Sequence, residues 1–429
     1  ALNWQAGIVN VKPSDDTTVK ERQIHTSMEI DVPKGAVSLT TGIYDWNTGR
    51  AATQQIAVNS AGVPGEAHAV ATNPSSTRGT PISASPRASS KSTPREPTLI
   101  QRTPEVIRQM EKAKRRIHLD VVVTDPSGHP VSGLGQSDFT VFDDNRAQPI
   151  ASFQAVNGLT TEPPAEIVLV LDTMNTSFQQ MAVVRQGVQK FLRQDSGHLA
   201  LPVSVILLTD TGIKANRATH DGNALAADIE KLPAPVHVIN SAQGLDGLIL
   251  RFGRSVDGLS QMTRYEATKP GRKLMIWVGS GWPTLSNALY RMDPRNQASF
   301  FHSIVDLSTS LREARVALYG VIPLDLDKGN EVYAYLYQSY MKGVENAKQA
   351  DAGNLSLQVV AEQSGGRAIG PIGDIYGGIV RCVADANAYY ELSFNAAPAD
   401  RVDVYHALEV TVDKPGLTAR TNMGYYAQP

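Results

Sequence analysis

Cysteine is nearly absent: Cys382 is the single one in 429 residues, so no intrachain disulfide can brace the fold. That scarcity fits a cytosolic protein and equally an exported bacterial protein that avoids cysteine, so the compartment stays open. Net charge is also missing. Forty basic residues face 42 acidic ones, a formal net charge of −2. No field is available to draw in nucleic acid or an acidic membrane, and no nucleic-acid partner is expected. Long apolar runs are lacking as well. The longest, such as 167–171 and 203–208, are strand-sized, far from the roughly 20 residues of a membrane helix, so the chain is not expected to be transmembrane.

Catalytic signatures are missing too. The nine histidines are scattered, with no pair at metal-ligand spacing and no HExxH. Gly253-Arg254-Ser255-Val256-Asp257 departs from a nucleophile elbow at its last position. Gly279-Ser280-Gly281 lacks the Gly-Lys-Ser/Thr tail of a phosphate loop and reads as a tight turn leaving a strand. Cys382 shares a helical face with Ile379 and Ala386, which suits a small buried hydrophobe better than a nucleophile. The short basic run 112–116 reads as a solvated helix end. A non-enzymatic protein is expected. The chain opens on Ala1 with neither Met nor a hydrophobic leader, which favours a processed or trimmed N-terminus and hence export.

What is present supports a sizeable core: 41% of residues are hydrophobic and 19% charged, over a length suited to two or three domains. Residues 1–63 carry alternation in Val37-Ser38-Leu39-Thr40-Thr41-Gly42-Ile43-Tyr44. Turn residues Asp45-Trp46-Asn47-Thr48-Gly49 follow, then a return strand at 54–58, which together read as a β-hairpin behind the turn Val32-Pro33-Lys34-Gly35. Residues 64–103 are rich in Ser, Thr, Pro, Ala and Gly. They form either a solvated tether or an arm that orders against another subunit.

The remaining chain changes pattern twice. A short helix is predicted over 104–114, then strands at 118–124, 139–143 and 150–156. Continuous apolar strands follow at 167–171, 203–208, 273–278 and 317–322. Between and after them lie helices at 222–232, 297–314 and 355–363, and one carrying Met181, Val184, Val188, Phe191 and Leu192 on a single face. Strands return at 389–394, 405–412 and 419–425, with Lys414-Pro415-Gly416 as a turn. The economical reading is α/β plus β. A doubly wound, Rossmann-like domain over 161–387 is inserted into a β-sandwich whose halves are 104–160 and 388–429.

Several segments carry a resemblance when taken in order. They are Val121-Val122-Val123-Thr124-Asp125, Leu134, Asp138-Phe139-Thr140-Val141-Phe142-Asp143-Asp144 and Leu171-Asp172-Thr173-Met174-Asn175-Thr176. Further along are Ile276-Trp277-Val278-Gly279-Ser280-Gly281, Ser364-Gly365-Gly366-Arg367-Ala368, Tyr389-Tyr390, Lys414-Pro415-Gly416-Leu417 and Gly424-Tyr425-Tyr426. Together, over residues 117–427, they resemble the von Willebrand factor A (vWA)-related domain family abundant in Acidobacteria. Residues 28–58 are similar to the closing strands of an Ig-like module that usually follows the domain in that family and here precedes it. The earlier strands of that module are missing, so 1–63 reads as a partial Ig-like segment. The resemblance implies a vWA domain set in an Ig-like sandwich.

The family's site is a divalent cation held at the carboxyl ends of the central strands by Asp-x-Ser-x-Ser, a second-loop Thr and a third-loop Asp. Its hard oxygen ligands suit Mg²⁺. By resemblance the positions here are Asp172, Thr176 and Thr219, with Asn175 a further oxygen donor. Two departures make the site degenerate. Met174 stands where the first Ser is expected, and Gly279-Ser280-Gly281 replaces the third-loop Asp. Either Mg²⁺ binds at this degenerate site, or Asp172 and Thr176 bond the loop and helix start and no cofactor is needed.

A secreted or cell-surface bacterial protein is expected, acting in adhesion, protein–protein binding or self-assembly. The partner is another protein or copies of itself. In the assembly reading, residues 1–60 add strands to a neighbouring subunit and build an extracellular filament. The rival is that the chain is a piece of a longer protein whose first module is cut short. The alternative function is a divalent-ion-dependent enzyme or effector working through the Asp172 loop.

Overall fold

The computed structural model describes residues 115–231, 244–282, 293–324 and 337–429, with strand backbones at Trp4–Ala6 (β1), Gly35–Asp45 (β2) and Arg50–Ser60 (β3). The linker 64–103, the helix expected over 104–114 and the turn positions 32–34 and 46–49 lie outside the described residues. The chain divides into two compact units. One is Ala1 with Ser27–Arg108, the other Leu2–Thr26 with Gln109–Pro429.

In the first unit β2 and β3 pair antiparallel, with Val37 opposite Val58, Leu39 opposite Ile56 and Ile43 opposite Ala52. Among the described residues no third strand joins them. A two-stranded ribbon of this kind is marginal alone in water.

The second unit opens with four strands: β4 (Arg116–Thr124), β5 (Phe139–Asp143), β6 (Arg146–Gln148) and β7 (Ser152–Asn157). The α/β region then runs β8 (Glu166–Asp172), α1 (Phe178–Leu192), β9 (His198–Thr209), β10 (Gly212–Ala215), β11 (Thr219–Asp221) and α2 (Gly222–Glu230). It continues with α3 (Gly244–Glu266), β12 (Lys273–Val278), α4 (Pro294–Glu313), β13 (Val316–Pro323), α5 (Leu357–Gln363), β14 (Arg367–Ile372) and α6 (Ile375–Val383). β9, β8, β12, β13 and β14 lie side by side and parallel. β10 extends the β9 edge antiparallel, and β1 pairs outside it.

Strand alternation divides the core between the two faces of this sheet. Ile167, Leu169 and Leu171 of β8 join Met181, Val184 and Val188 of α1, Leu225 of α2 and Ile379 of α6. Val168 and Val170 join Phe252, Val256 and Leu259 of α3, Leu307 of α4 and Leu357 of α5. Apolar side chains on both faces explain the continuous hydrophobic runs of β8 and β12.

Four strands follow the α/β region: β15 (Ala388–Asn395), β16 (Val404–Val412), β17 (Thr418–Arg420) and β18 (Gly424–Ala427). They interleave with the opening four as two sheets, β17-β4-β15-β7 and β18-β16-β5-β6. The sheets share one apolar core that includes Leu119, Val121, Val123, Val141, Leu392, Phe394, Val410 and Tyr425. The architecture is therefore mixed α/β plus all-β. The single strand expected at 419–425 is instead two short ones. β17 pairs with β4 and β18 with β16, and Asn422 between them bridges to Ser364.

The β4–β15 sheet uses its second face as well. Asp120 of β4 and Glu391 of β15 both accept hydrogen bonds from Arg315, at the start of β13. Arg272, ahead of β12, lies 4.5 Å over the Tyr389 ring and donates to the Asp385 carbonyl at 2.7 Å. The sandwich and the parallel sheet are thus joined by a charged seam.

Candidate functional site at the end of the parallel strands

From β8 the chain passes to β9 on one side and later returns to β12 on the other. That change of direction makes the carboxyl end of β8 a topological switch point, where open parallel sheets place their ligands. Two loops meet there: 173–177 after β8, and Gly279-Ser280-Gly281 after β12.

Asp172 closes β8. Its parity along the strand is that of Val168 and Val170, so it faces the α3–α4 side, fully buried. Four hydrogen bonds converge on its carboxylate, all from the Asn175 and Trp277 N–H groups. The Asn175 backbone N–H reaches Oδ1 at 2.9 Å, Asn175 Nδ2 reaches Oδ2 at 2.9 Å, and Trp277 Nε1 reaches Oδ2 at 2.9 Å. Asn175 Nδ2 also reaches Oδ1, at 3.1 Å. Burial pushes the Asp172 carboxyl upward, and the bonds from Asn175, Trp277 and Met174 oppose that shift. Asn175 Nδ2 also donates to Ser255 Oγ of α3 at 3.0 Å, and Ser255 in turn donates to the Arg251 carbonyl at 2.8 Å.

Thr176 is buried, and its Oγ1 accepts the Ser280 N–H at 3.0 Å. Ser280 Oγ donates to Gln180 Oε1 at 3.1 Å, tying the β12 loop to the first turn of α1. The crossing is tight at Gly279, φ +154°, where a β-carbon would lie 2.5 Å from Thr176 Oγ1 and 2.9 Å from Asp172 Cβ. Ser177 caps α1, exchanging hydrogen bonds with Gln180 in a capping box. Phe178, the first residue of α1, is 65% exposed.

The structure brings Asp172 and Thr176 together and leaves Thr219 apart. Thr219 sits on β11 opposite Val203 of β9, and Val203 pairs with Ile167, five residues before Asp172 on β8. At about 3.3 Å per residue that is roughly 16 Å away, towards the other end of the sheet. Its Oγ1 accepts the Asp221 N–H. The expectation that Thr219 shares the site is corrected for a specific reason: the chain after β9 folds straight back as β10, carrying Thr219 towards the start of the strands.

The donor set does not fit a divalent cation. An ionised carboxylate offers about four lone-pair positions, and here four hydrogen bonds from Asn175 and Trp277 take them. Asn175 presents its amide nitrogen to Asp172 rather than an oxygen. Met174 is buried in the apolar core, and the Gly279-Ser280-Gly281 turn after β12 carries no carboxylate. Asn175 Oδ1 is the buried oxygen left without a partner here. One neutral amide oxygen falls well short of the octahedral oxygen shell Mg²⁺ demands.

Sequence reading placed neither Trp277 nor Ser255 in this site. Trp277 read as one apolar residue in a buried strand, yet a buried indole N–H needs an acceptor, and that need was the available signal. A second polar group, in the sandwich, also escaped it. His406 Nδ1 lies 2.8 Å from Asp143 Oδ1 and 3.2 Å from Asp144 Oδ2, while Tyr425 donates to Asp143 Oδ2 at 3.0 Å. With Nδ1 already placed between two carboxylates, the group reads as a hydrogen-bonded brace across β5 and β16. Cys382 is fully buried, and burial pushes its thiol up to about 12, which leaves it unreactive. Among the described residues no helix is long and apolar enough to cross a membrane.

No protein-family model matches this sequence, and no curated protein matches it. Among solved structures the chain is similar to an aerotolerance-related membrane protein from Bacteroides fragilis, with 9% identity, TM-score 0.30, and 52% of this chain covering 98% of that one. It is also similar to BatB from Bacteroides thetaiotaomicron, with 9% identity, TM-score 0.27 and the same coverage of 52% and 98%. A third is the pilus adhesin SpaC from Lactobacillus rhamnosus, with 12% identity and TM-score 0.32. There 70% of this chain is covered but only 43% of the adhesin.

Proposed function

We propose that the chain is a non-enzymatic binding subunit working outside the cell or on its surface: a vWA-like domain of the Acidobacteria family, carried in an Ig-like sandwich, that engages a protein partner or further copies of itself. The observation that supports this best is the platform at the switch point. There the loops after β8 and β12 are pinned to each other through Thr176 and Ser280, and Phe178 stands exposed beside them. A large aromatic held open on a rigid helix start is the kind of anchor that protein interfaces use. The buried carboxylate next to it is fully bonded, so the platform offers a partner shape and apolar area rather than a reactive group.

The assembly form of the proposal rests on β2 and β3, an 11-residue strand pair with no third strand among the described residues. Open strand edges are templates for addition by another chain. The test compares the intact chain with a version lacking residues 35–60, a deletion that leaves β1 in place on the main sheet. Light scattering and negative-stain microscopy read the result. Polymers from the intact chain and monomers from the deletion support strand addition. Monomers from both reject self-assembly and direct the search to Phe178, where an F178D variant should abolish capture of the partner.

A further inference from the structure

We infer that the Trp277 indole does at this switch point what an ion would otherwise do, and that the platform is built and held without a divalent cation. A cation at the end of a parallel sheet joins loops that carry oxygen ligands and stabilises the carboxylate among them. Here both tasks fall to N–H groups of the chain itself. Trp277, on β12, reaches across to Asp172 on the neighbouring β8 at 2.9 Å. Asn175 clamps both carboxylate oxygens and passes the connection to Ser255 on α3.

Every donor in this chain of bonds points one way. It runs from the Trp277 and Asn175 N–H groups into Asp172, from Asn175 to Ser255, and from Ser255 to the Arg251 carbonyl. A cation added at Asp172 would have to displace at least one of these donors and leave it buried without an acceptor. Trp277 makes that displacement difficult. The indole is fully buried in the α3–α4 core and packs edge-on against Trp282, with ring centroids 4.9 Å apart. Gly279 allows the same closeness from the other side, since any larger residue would push the β12 loop off Asp172 and Thr176. The inference concerns how the site is held and does not depend on what the protein binds.

The test uses the intact chain, stripped with EDTA and labelled with ¹⁵N at its indoles. Mn²⁺ is titrated to millimolar concentration while the Trp277 indole signal is followed. That signal is assigned as the one lost in W277F or, if that variant does not fold, by elimination with W4F, W46F and W282F. A paramagnetic ion at Asp172 would sit within a few ångströms of the indole N–H and erase its signal at the lowest occupancies. The expected result is a Trp277 signal that persists through the titration, together with an indole proton that exchanges slowly with solvent whether EDTA or Mg²⁺ is present. Loss of the Trp277 signal with Mn²⁺, or an indole proton protected only in Mg²⁺, overturns the inference.

Discussion

Trp277 Nε1 donates to Asp172 Oδ2 at 2.9 Å, bridging the ends of β12 and β8 inside the core. Replacing the indole by a phenyl ring keeps most of the apolar area and removes the donor. W277F should therefore lose about 1–3 kcal/mol, the range for stranding one buried hydrogen-bonding group, with the charged acceptor favouring the upper half. Chemical denaturation of the intact chain measures it. W282F is the comparison: its indole donates to the Leu355 carbonyl, a neutral acceptor, so the loss should be the smaller of the two.

Gly279 sits where the β12 loop presses on Asp172 and Thr176. G279A combines a backbone conformation that L-residues rarely adopt with a methyl group 2.5 Å from Thr176 Oγ1. Strain and overpacking together should cost at least about 2 kcal/mol. The damage should be local to the platform, with amide exchange speeding up at Ser280, whose N–H bonds to Thr176.

Stability should fall as pH rises from about 4 to 6, and Asp257 should be one source. Burial raises its carboxyl from 3.8 to about 6, with Arg264 opposing the shift. Below the lower value both folded and unfolded chains hold the proton. Between the two values the unfolded chain releases it and the folded chain keeps it, so each step up in pH favours unfolding. Above about 6 both have lost it, and the cost stays constant at no more than about 3 kcal/mol. D257N should flatten this part of the profile and raise stability at pH 7. Thermal unfolding of both proteins across pH 4–8 checks it.

The architecture was legible where periodicity and burial agree. β5 and β12 fall at the bounds read from the sequence, because each is a short run dominated by apolar residues that the core buries. α3 was missed although it is 23 residues long, since Gly244, Gly247, Gly253 and Gly258 break its pattern. One of those glycines has a packing reason: a β-carbon at Gly258 would lie 3.1 Å from Leu208 Cδ1 on the sheet below. The site was legible only as far as its loop. Asp172 and Thr176 come from one continuous motif, while Trp277 and Ser255 arrive from elements 105 and 80 residues away, and single-sequence spacing cannot pair them. Thr219 was misplaced because a tight antiparallel return, β9 to β10, leaves little trace in hydrophobic periodicity.

Asp385 should be costly to remove. It is fully buried at the end of α6. It accepts from Arg367 of β14 at 2.7 Å and from Arg420 of β17 at 2.6 Å, while its carbonyl holds Arg272. Three elements from both layers therefore meet on one residue. D385A would leave two guanidinium groups, on side chains 26% and 20% accessible, without their buried counter-charge, and the loss should approach the about 3–5 kcal/mol of fully buried pairs. The exposed pair Arg193–Glu230, with side chains 45% and 51% accessible, gives the contrast. R193A should cost less than about 1 kcal/mol, since water and side-chain entropy offset most of its Coulomb attraction. Urea denaturation of both variants separates the two. A D385A loss no larger than that of R193A would mean the Arg367–Asp385–Arg420 cluster does not hold the sandwich to the parallel sheet.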